Sequence, residues 1–191
     1  MSLIKTITTL IIYCIFITTL AYAQTAEDYY NSGLDKYDQQ DYKGSIADYN
    51  KAIELNPNLA EAYSNRGTAK AGLKDYREAI QDYTKAIELN PNYADAYSNR
   101  GVAKGELQDN KGAIQDYNKA IELNPNIALA YYNRGVVKIS LGQKDSGCLD
   151  LSKAGELGLA EAYEAIKEVC NLFFSIWFSS ESLYVYPRVK L

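Results

Sequence analysis

The octapeptide Lys-Ala-Ile-Glu-Leu-Asn-Pro-Asn occurs three times, at residues 51–58, 85–92 and 119–126, and each copy begins 34 residues after the previous one. The units that contain the last two copies, 60–93 and 94–127, are identical at 24 of 34 positions. A fixed period of this length is the sequence signature of an array of stacked repeats, each too small to bury its own core. This period decides the fold.

Each unit has the pattern of two helices. Within the second unit, apolar residues recur at helical spacing over 62–73 and over 77–89. Between them, Asp75 and Glu78 have the spacing of a capping box. Pro91 ends the second helix, because proline disfavours a helical residue before it. Helices this short are marginal alone in water, so we expect stability to come from stacking neighbouring pairs.

Small residues recur in both helices of the unit. Glycine in a helix interior costs about 1 kcal/mol relative to alanine, so its recurrence predicts a close approach of two backbones. The glycines of the first helix are Gly67, Gly101 and Gly135, and their small partners in the second helix are Ala52, Ala86 and Ala120. Tyrosines such as Tyr63 and Tyr83 are expected to fill the space beside them.

These positions resemble the tetratricopeptide repeat. That pattern has an aromatic residue at position four, Gly at eight, Ala at twenty and twenty-seven, an aromatic at twenty-four and Pro at thirty-two. The second unit has Tyr63, Gly67, Ala79, Ala86, Tyr83 and Pro91 at these positions. The resemblance covers residues 26–159. It implies an all-α solenoid of helical hairpins, wound into a right-handed superhelix with a concave groove.

One residue departs from the family pattern. Position seven, where the family prefers Leu, is Arg in three units, as Arg66, Arg100 and Arg134. A long arginine stem can cover apolar surface while its charged head stays in water. We therefore expect these guanidinium groups to reach solvent.

The array is predicted to contain four units and a cap. The units are 26–59, 60–93, 94–127 and 128–159, and the capping helix is 160–171. The fourth unit loses the Asn-Pro pair that ends the second helix elsewhere, so its second helix is degenerate. In the cap, Lys167 stands where the first helix has Gly. A charged residue at the close-approach position ends the stack, and repeat arrays need such a terminal cap.

Two cysteines flank the junction between the fourth unit and the cap. Cys148 precedes the turn near Gly158, and Cys170 follows it at a similar distance. Antiparallel helices joined at this turn would bring both to the same level. We predict a disulfide, which the chain-entropy model values at about 3 kcal/mol. The alternative is two buried free thiols.

Residues 1–23 have the layout of a secretory signal peptide. One lysine precedes the apolar stretch 7–20, and Ala21 and Ala23 supply small residues before the expected cleavage site. We expect an exported protein, periplasmic or secreted. The alternative is an uncleaved membrane anchor, because residues 6–26 form an uncharged run just long enough to span a bilayer.

The C-terminal tail, 172–191, lies outside the repeat pattern. Its segment 172–178, Leu-Phe-Phe-Ser-Ile-Trp-Phe, is too short to span a membrane. It could fold back onto the last helices, insert into a membrane surface or a partner, or stay poorly ordered. If it docks, the protein would be a structural component of a cell-envelope assembly. Membrane contact would arise through this segment or through an uncleaved leader.

A candidate binding row occupies position six, which is Asn in all four units and which the family resemblance places in the groove. The row is Asn31, Asn65, Asn99 and Asn133, and its neighbours at position five are Tyr30, Ser64, Ser98 and Tyr132. Asparagine is both a donor and an acceptor, so we predict that the row binds the main chain of an extended peptide. The alternative is that these asparagines order local structure or solvate the face.

Composition excludes several other functions. The net charge is −4, with Lys and Arg interleaved among Asp and Glu, so no basic face for nucleic acid is expected. The chain contains no His, which removes the commonest general base and metal ligand. It also lacks Cys-x-x-Cys, a phosphate loop and a nucleophile elbow. We therefore predict a non-catalytic scaffold without cofactor or metal, which binds a protein or peptide.

Overall fold

The computed structural model describes residues 24–170. The predicted leader and the aromatic tail lie outside them. The described chain is helical hairpins throughout, which confirms the predicted all-α solenoid. Unit one contains α1 (Ala26–Asp38) and α2 (Tyr42–Leu55), unit two α3 (Ala60–Gly72) and α4 (Tyr76–Leu89), unit three α5 (Ala94–Glu106) and α6 (Asn110–Leu123), and unit four α7 (Ala128–Ser140) and α8 (Lys144–Glu156).

The array ends in a short capping segment. Helix α9 (Ala160–Ala165) packs on α8 and continues as the π-helical turn Ile166–Cys170, so the predicted single capping helix changes its winding midway. Lys167 is exposed and pairs with Glu164 at 2.7 Å. Cys170 is joined to Cys148 of α8, and their Cα atoms are 6.0 Å apart. The π-helical turn Ile166–Cys170 therefore contains the residues that lead to this disulfide.

The predicted capping box at the start of α4 is wrong. Asp75 occupies the cap position, but its side chain accepts no hydrogen bond. The equivalent Asp41 accepts from the backbone N–H of Gly44 at 3.0 Å, and Asp109 does the same with Gly112. A Cβ on either glycine would collide with that carboxylate. Unit two has Glu78 at this position, so Asp75 cannot place its carboxylate as Asp41 and Asp109 do.

The core of each of the first three units is a tyrosine ring packed against a glycine. Tyr83 and its equivalents Tyr49 and Tyr117 are at most 2 % exposed. A Cβ on Gly67 would lie 2.9 Å from a carbon of the Tyr83 ring, and a Cβ on Gly101 would lie 2.7 Å from a carbon of the Tyr117 ring. The glycine thus admits an aromatic ring. The predicted approach of two backbones is closest in unit four, where a Cβ on Gly135 would lie 2.8 Å from the backbone oxygen of Gly147, and in unit two a Cβ on Gly67 would lie 3.2 Å from that of Ala79.

Candidate peptide-binding face

The inner face of the array is formed by α1, α3, α5 and α7. Each of these first helices contacts the first helix of the next unit, and among the described residues the second helices make no comparable contacts with one another. The first helices are therefore closer together, and the array curves toward them. We call the surface of these helices that points away from α2, α4, α6 and α8 the inner face.

The asparagine row lies along the inner face at different degrees of exposure. Asn31 is exposed, and the other three are half-buried. The Asn65 side-chain amide donates to the hydroxyl of Tyr30 in the preceding unit at 3.0 Å. Within residues 24–170, the side chains of Asn31, Asn99 and Asn133 have no hydrogen-bond partner. One member of the row thus has a local ordering role, and three keep their amides available.

Two of the predicted contact residues are removed by burial. Ser64 is 2 % exposed and Ser98 is 6 % exposed, so neither can touch a peptide on the surface. Ser64 lies beside Tyr93, whose pKa is raised mainly by burial. A small side chain at position five is therefore covered by its neighbours. The larger Tyr30 and Tyr132 at the same position remain half-exposed.

The expectation that the position-seven arginines reach water is also wrong. Their side chains are only 15–17 % exposed. Each arginine donates two hydrogen bonds, from two of its nitrogens, to a buried aspartate of the second helix. A lysine one turn along the first helix forms an ion pair with the same carboxylate. These sets are Arg66, Lys70 and Asp82; Arg100, Lys104 and Asp116; and Arg134, Lys138 and Asp150.

Each set also ties its unit to the preceding one. The Nη1 of Arg66 donates to Asn50 at 2.7 Å, that of Arg100 to Thr84, and that of Arg134 to Asn118. In unit one, where no described unit precedes, Ser32 replaces Arg and bonds Asp48 together with Lys36. Asp at position twenty-three and Arg at seven, repeated in register, were the sequence signal for this network.

The network includes all the basic residues of the first helices. Every Lys and Arg of α1, α3, α5 and α7 is bound to one of these aspartates. The inner face therefore has no uncommitted positive charge.

In the described part of the chain there is no group of His, Cys, Asp and Glu arranged to hold a metal ion. No helix between residues 24 and 170 is long and apolar enough to cross a membrane.

Comparison with known proteins identifies the repeat. The model described as tetratricopeptide repeat matches residues 60–93, a second tetratricopeptide model matches 82–115, and the model described as TPR repeat matches 33–73 and 106–142. Together they span 33–142, more than half of the 191-residue chain. A search of curated protein sequences found no significant match.

Solved structures share the fold. A crystal structure of MamA is 27 % identical with a TM-score of 0.68, over 76 % of this chain and 85 % of MamA. The first domain of Spaghetti (RPAP3), bound to the HSP90 peptide SRMEEVD, is 31 % identical with a TM-score of 0.61, over 62 % of this chain and 94 % of that domain. The tetratricopeptide domain of Arabidopsis OM64 is 28 % identical with a TM-score of 0.60, over 61 % and 96 %.

These matches agree with the packing of tyrosine on glycine and with the row of hairpins. Proteins of this fold are non-catalytic interaction scaffolds. The chain belongs to the tetratricopeptide repeat family, and it is a protein-interaction scaffold rather than an enzyme.

Proposed function

We propose that the protein binds an extended peptide, or an extended segment of a partner protein, along the asparagine row of its inner face. The observation that carries this proposal is the alignment of one amide per unit on four neighbouring helices that contact each other. A peptide main chain presents one donor and one acceptor at nearly every residue. An asparagine amide complements both. The row would therefore hold backbone, and selectivity would come from other positions.

Two further observations support this use of the face. The similar RPAP3 domain holds the peptide SRMEEVD, so peptide binding is within the repertoire of the fold. The amides of Asn31, Asn99 and Asn133 have no partner within residues 24–170, although they lie on regular helices that do not need them. Tyr30 and Tyr132 flank the ends of the row as half-exposed aromatic surfaces.

The test uses a peptide selected against the purified protein from a random display library. The double variant Asn99→Ala/Asn133→Ala should weaken its binding roughly tenfold or more, because each hydrogen bond contributes about 1 kcal/mol. Binding is measured by calorimetry, and circular dichroism checks the fold. A matched control, Asn58→Ala/Asn92→Ala, removes two loop amides and should leave affinity unchanged. Equal affinities for the two double variants would contradict the proposal.

We also propose that the protein is exported and matures by cleavage after Ala23. The leader pattern and the pairing of Cys148 with Cys170 support this, because disulfides persist in oxidising compartments. N-terminal sequencing of protein recovered from cells should begin at Gln24, and non-reducing peptide mapping should yield a linked pair. A retained N-terminus in a membrane fraction would assign an anchor. Free thiols at both cysteines would remove the support that the disulfide gives to the proposal of export.

A further inference from the structure

Two further rows of side chains run parallel to the asparagine row, one on each side of it. Positions two, six and nine fall on one face of a helix that has 3.6 residues per turn, with position six between the others along the axis. Position two is Glu27, Glu61, Asp95 and Leu129 in the four units. Position nine is Leu34, Thr68, Val102 and Val136. One row is therefore mainly acidic, and the other is mainly apolar.

The carboxylates of the position-two row are exposed and uncompensated. Within the described part of the chain, no Lys or Arg forms an ion pair with Glu27, Glu61 or Asp95, since the basic residues of the inner helices are bound to buried aspartates. The negative charge of this row also acts on the pKa of a tyrosine on the inner face. Burial is the main cause that raises the pKa of Tyr30, and the charge of Glu61 adds to it.

The apolar surface is largest on units three and four. Val102 is 38 % exposed, Leu129 56 % and Val136 44 %. Val102 and Val136 occupy equivalent positions on α5 and α7, which contact each other. Leu129 and Val136 are two turns apart on α7, about 10 Å along its axis. Val102 and Val136 thus expose apolar surface side by side, across the asparagine row from the carboxylates, and Leu129 ends the position-two row as its one apolar member. This combination specifies a partner.

We propose that the inner face binds an extended segment in which basic residues project to one side and large apolar residues to the other. The main chain follows the asparagine row, Lys or Arg side chains meet Glu27, Glu61 and Asp95 on one side, and apolar side chains cover Val102 and Val136 on the other. An extended chain suits this arrangement, because its successive side chains point to opposite sides. This inference rests on the proposed function, and it names the chemistry of the partner.

The test compares three short synthetic peptides of equal length by fluorescence anisotropy. In the first, Lys alternates with Leu; the second has Glu in place of Lys, and the third has Ser in place of Leu. The Lys/Leu peptide should bind roughly tenfold or more tightly than either of the others, since each control loses one of the two complementary rows. Its affinity should also fall as salt is added, because the carboxylates are exposed to solvent.

Matched variants separate the inner face from general attraction to an acidic protein. Glu61→Gln/Asp95→Asn should weaken the Lys/Leu peptide roughly fivefold or more. Glu54→Gln/Glu88→Gln removes the same charge from the outer helices α2 and α4 and should change affinity less than twofold. Val136→Ser should likewise weaken binding, whereas Leu149→Ser should not, although Leu149 is 72 % exposed on α8.

Several results would overturn the inference. They are absence of binding by the Lys/Leu peptide, a preference for the Glu/Leu peptide, and equal losses for the inner and outer pairs. Self-association that disappears in Val136→Ser would assign the face to a second copy instead. The asparagine variants report separately. If they lose the library-selected peptide while the charge variants and Val136→Ser change nothing, only this inference fails. If Asn variants bind normally, the main-chain proposal fails.

Discussion

Unit four fills the space between its two helices differently from units two and three. In unit three the ring of Tyr117 fills the space above Gly101, and Ala113 lies beside it. In unit four the smaller Leu151 replaces the tyrosine, and Gly147 replaces the alanine. The helices then approach until a Cβ on Gly135 would lie 2.8 Å from the backbone carbonyl oxygen of Gly147. The closer approach of the two helix backbones in unit four compensates for the volume that is lost with the tyrosine ring.

The polar network does not follow this difference. Asp116 and Asp150 are both buried, and each binds one Arg and one Lys of its own unit. In both units the Arg also reaches a side chain of the preceding second helix. The apolar core can therefore be remodelled at the end of the array, while the charged connection between units is kept.

The largest expected effect comes from removing the central aspartate. Asp116→Ala leaves two partly buried cations without their counter-charge, which should lower the free energy of unfolding by about 3 kcal/mol. Asp150→Ala removes the equivalent group in unit four, where the loss should be confined to the last hairpin and the cap, since repeats are coupled mainly to their neighbours. Urea unfolding gives the magnitudes, and hydrogen exchange locates the loss.

Glu122→Ala is the control for this pair. Glu122 binds Lys119 at 2.8 Å, but both side chains are exposed. Its loss should cost less than about 1 kcal/mol. If Asp116→Ala were no more harmful than Glu122→Ala, the network would not be what connects the units.

The repeat itself could be predicted because its information is local and occurs several times. The hairpins, the small residues and the end of the array all follow from the 34-residue period. The arginine network was missed because Arg66 was interpreted alone, by its stem and head. Its partner Asp82 lies 16 residues away on another helix. The constant interval between Arg and Asp in three units contained that information.

The candidate site was less predictable because exposure depends on neighbours. Ser64 and Tyr132 share position five, yet Ser64 is buried and Tyr132 is half-exposed. A short side chain is covered by residues from the adjacent loop, and no pattern within the unit reports this. The cap at Asp75 also depends on details beyond the residue spacing, since Asp41 and Asp109 accept from a glycine N–H with the carboxylate in a position that a Cβ would occupy. Predictions for the leader and the tail concern residues outside the described part, and they stay predictions.

A smaller effect is expected from the glycine of the core. Gly101→Ala should lose roughly 1–3 kcal/mol, because the new methyl would lie 2.7 Å from the buried Tyr117 ring. This exceeds the gain of about 1 kcal/mol in helix propensity. Tyr117→Leu removes the ring that the new methyl would meet, so the double variant should lose less than the sum of the two single variants. A double-mutant cycle in urea measures this coupling.

Unit four supplies the contrasting cycle. There the obstacle to Gly135→Ala is the backbone oxygen of Gly147, which no side-chain truncation removes. Gly135→Ala with Leu151→Ala should therefore show little recovery. Equal coupling in both cycles would mean that the two units are packed alike.

The smallest effect concerns alkaline pH, where the tyrosine units should respond and Leu151 cannot. Burial raises the pKa of Tyr83 to about 12. An unfolded tyrosine ionises near pH 10. Above about pH 10 the unfolded state therefore binds fewer protons than the folded state, so stability is complete below that pH and falls as pH rises toward 12. Each such tyrosine contributes a slope of up to about 1.4 kcal/mol per pH unit.

Tyr83→Phe isolates this contribution. At neutral pH it removes the hydrogen bond from Tyr83 to Thr68, 3.2 Å long, which should cost about 1 kcal/mol or less. Above about pH 10 the variant should lose stability with rising pH less steeply than the parent, as followed by urea unfolding at a series of pH values. Equal slopes would show that the buried ring does not resist ionisation, and the tight packing of tyrosine on glycine would then be looser in solution than the contact with Gly67 implies.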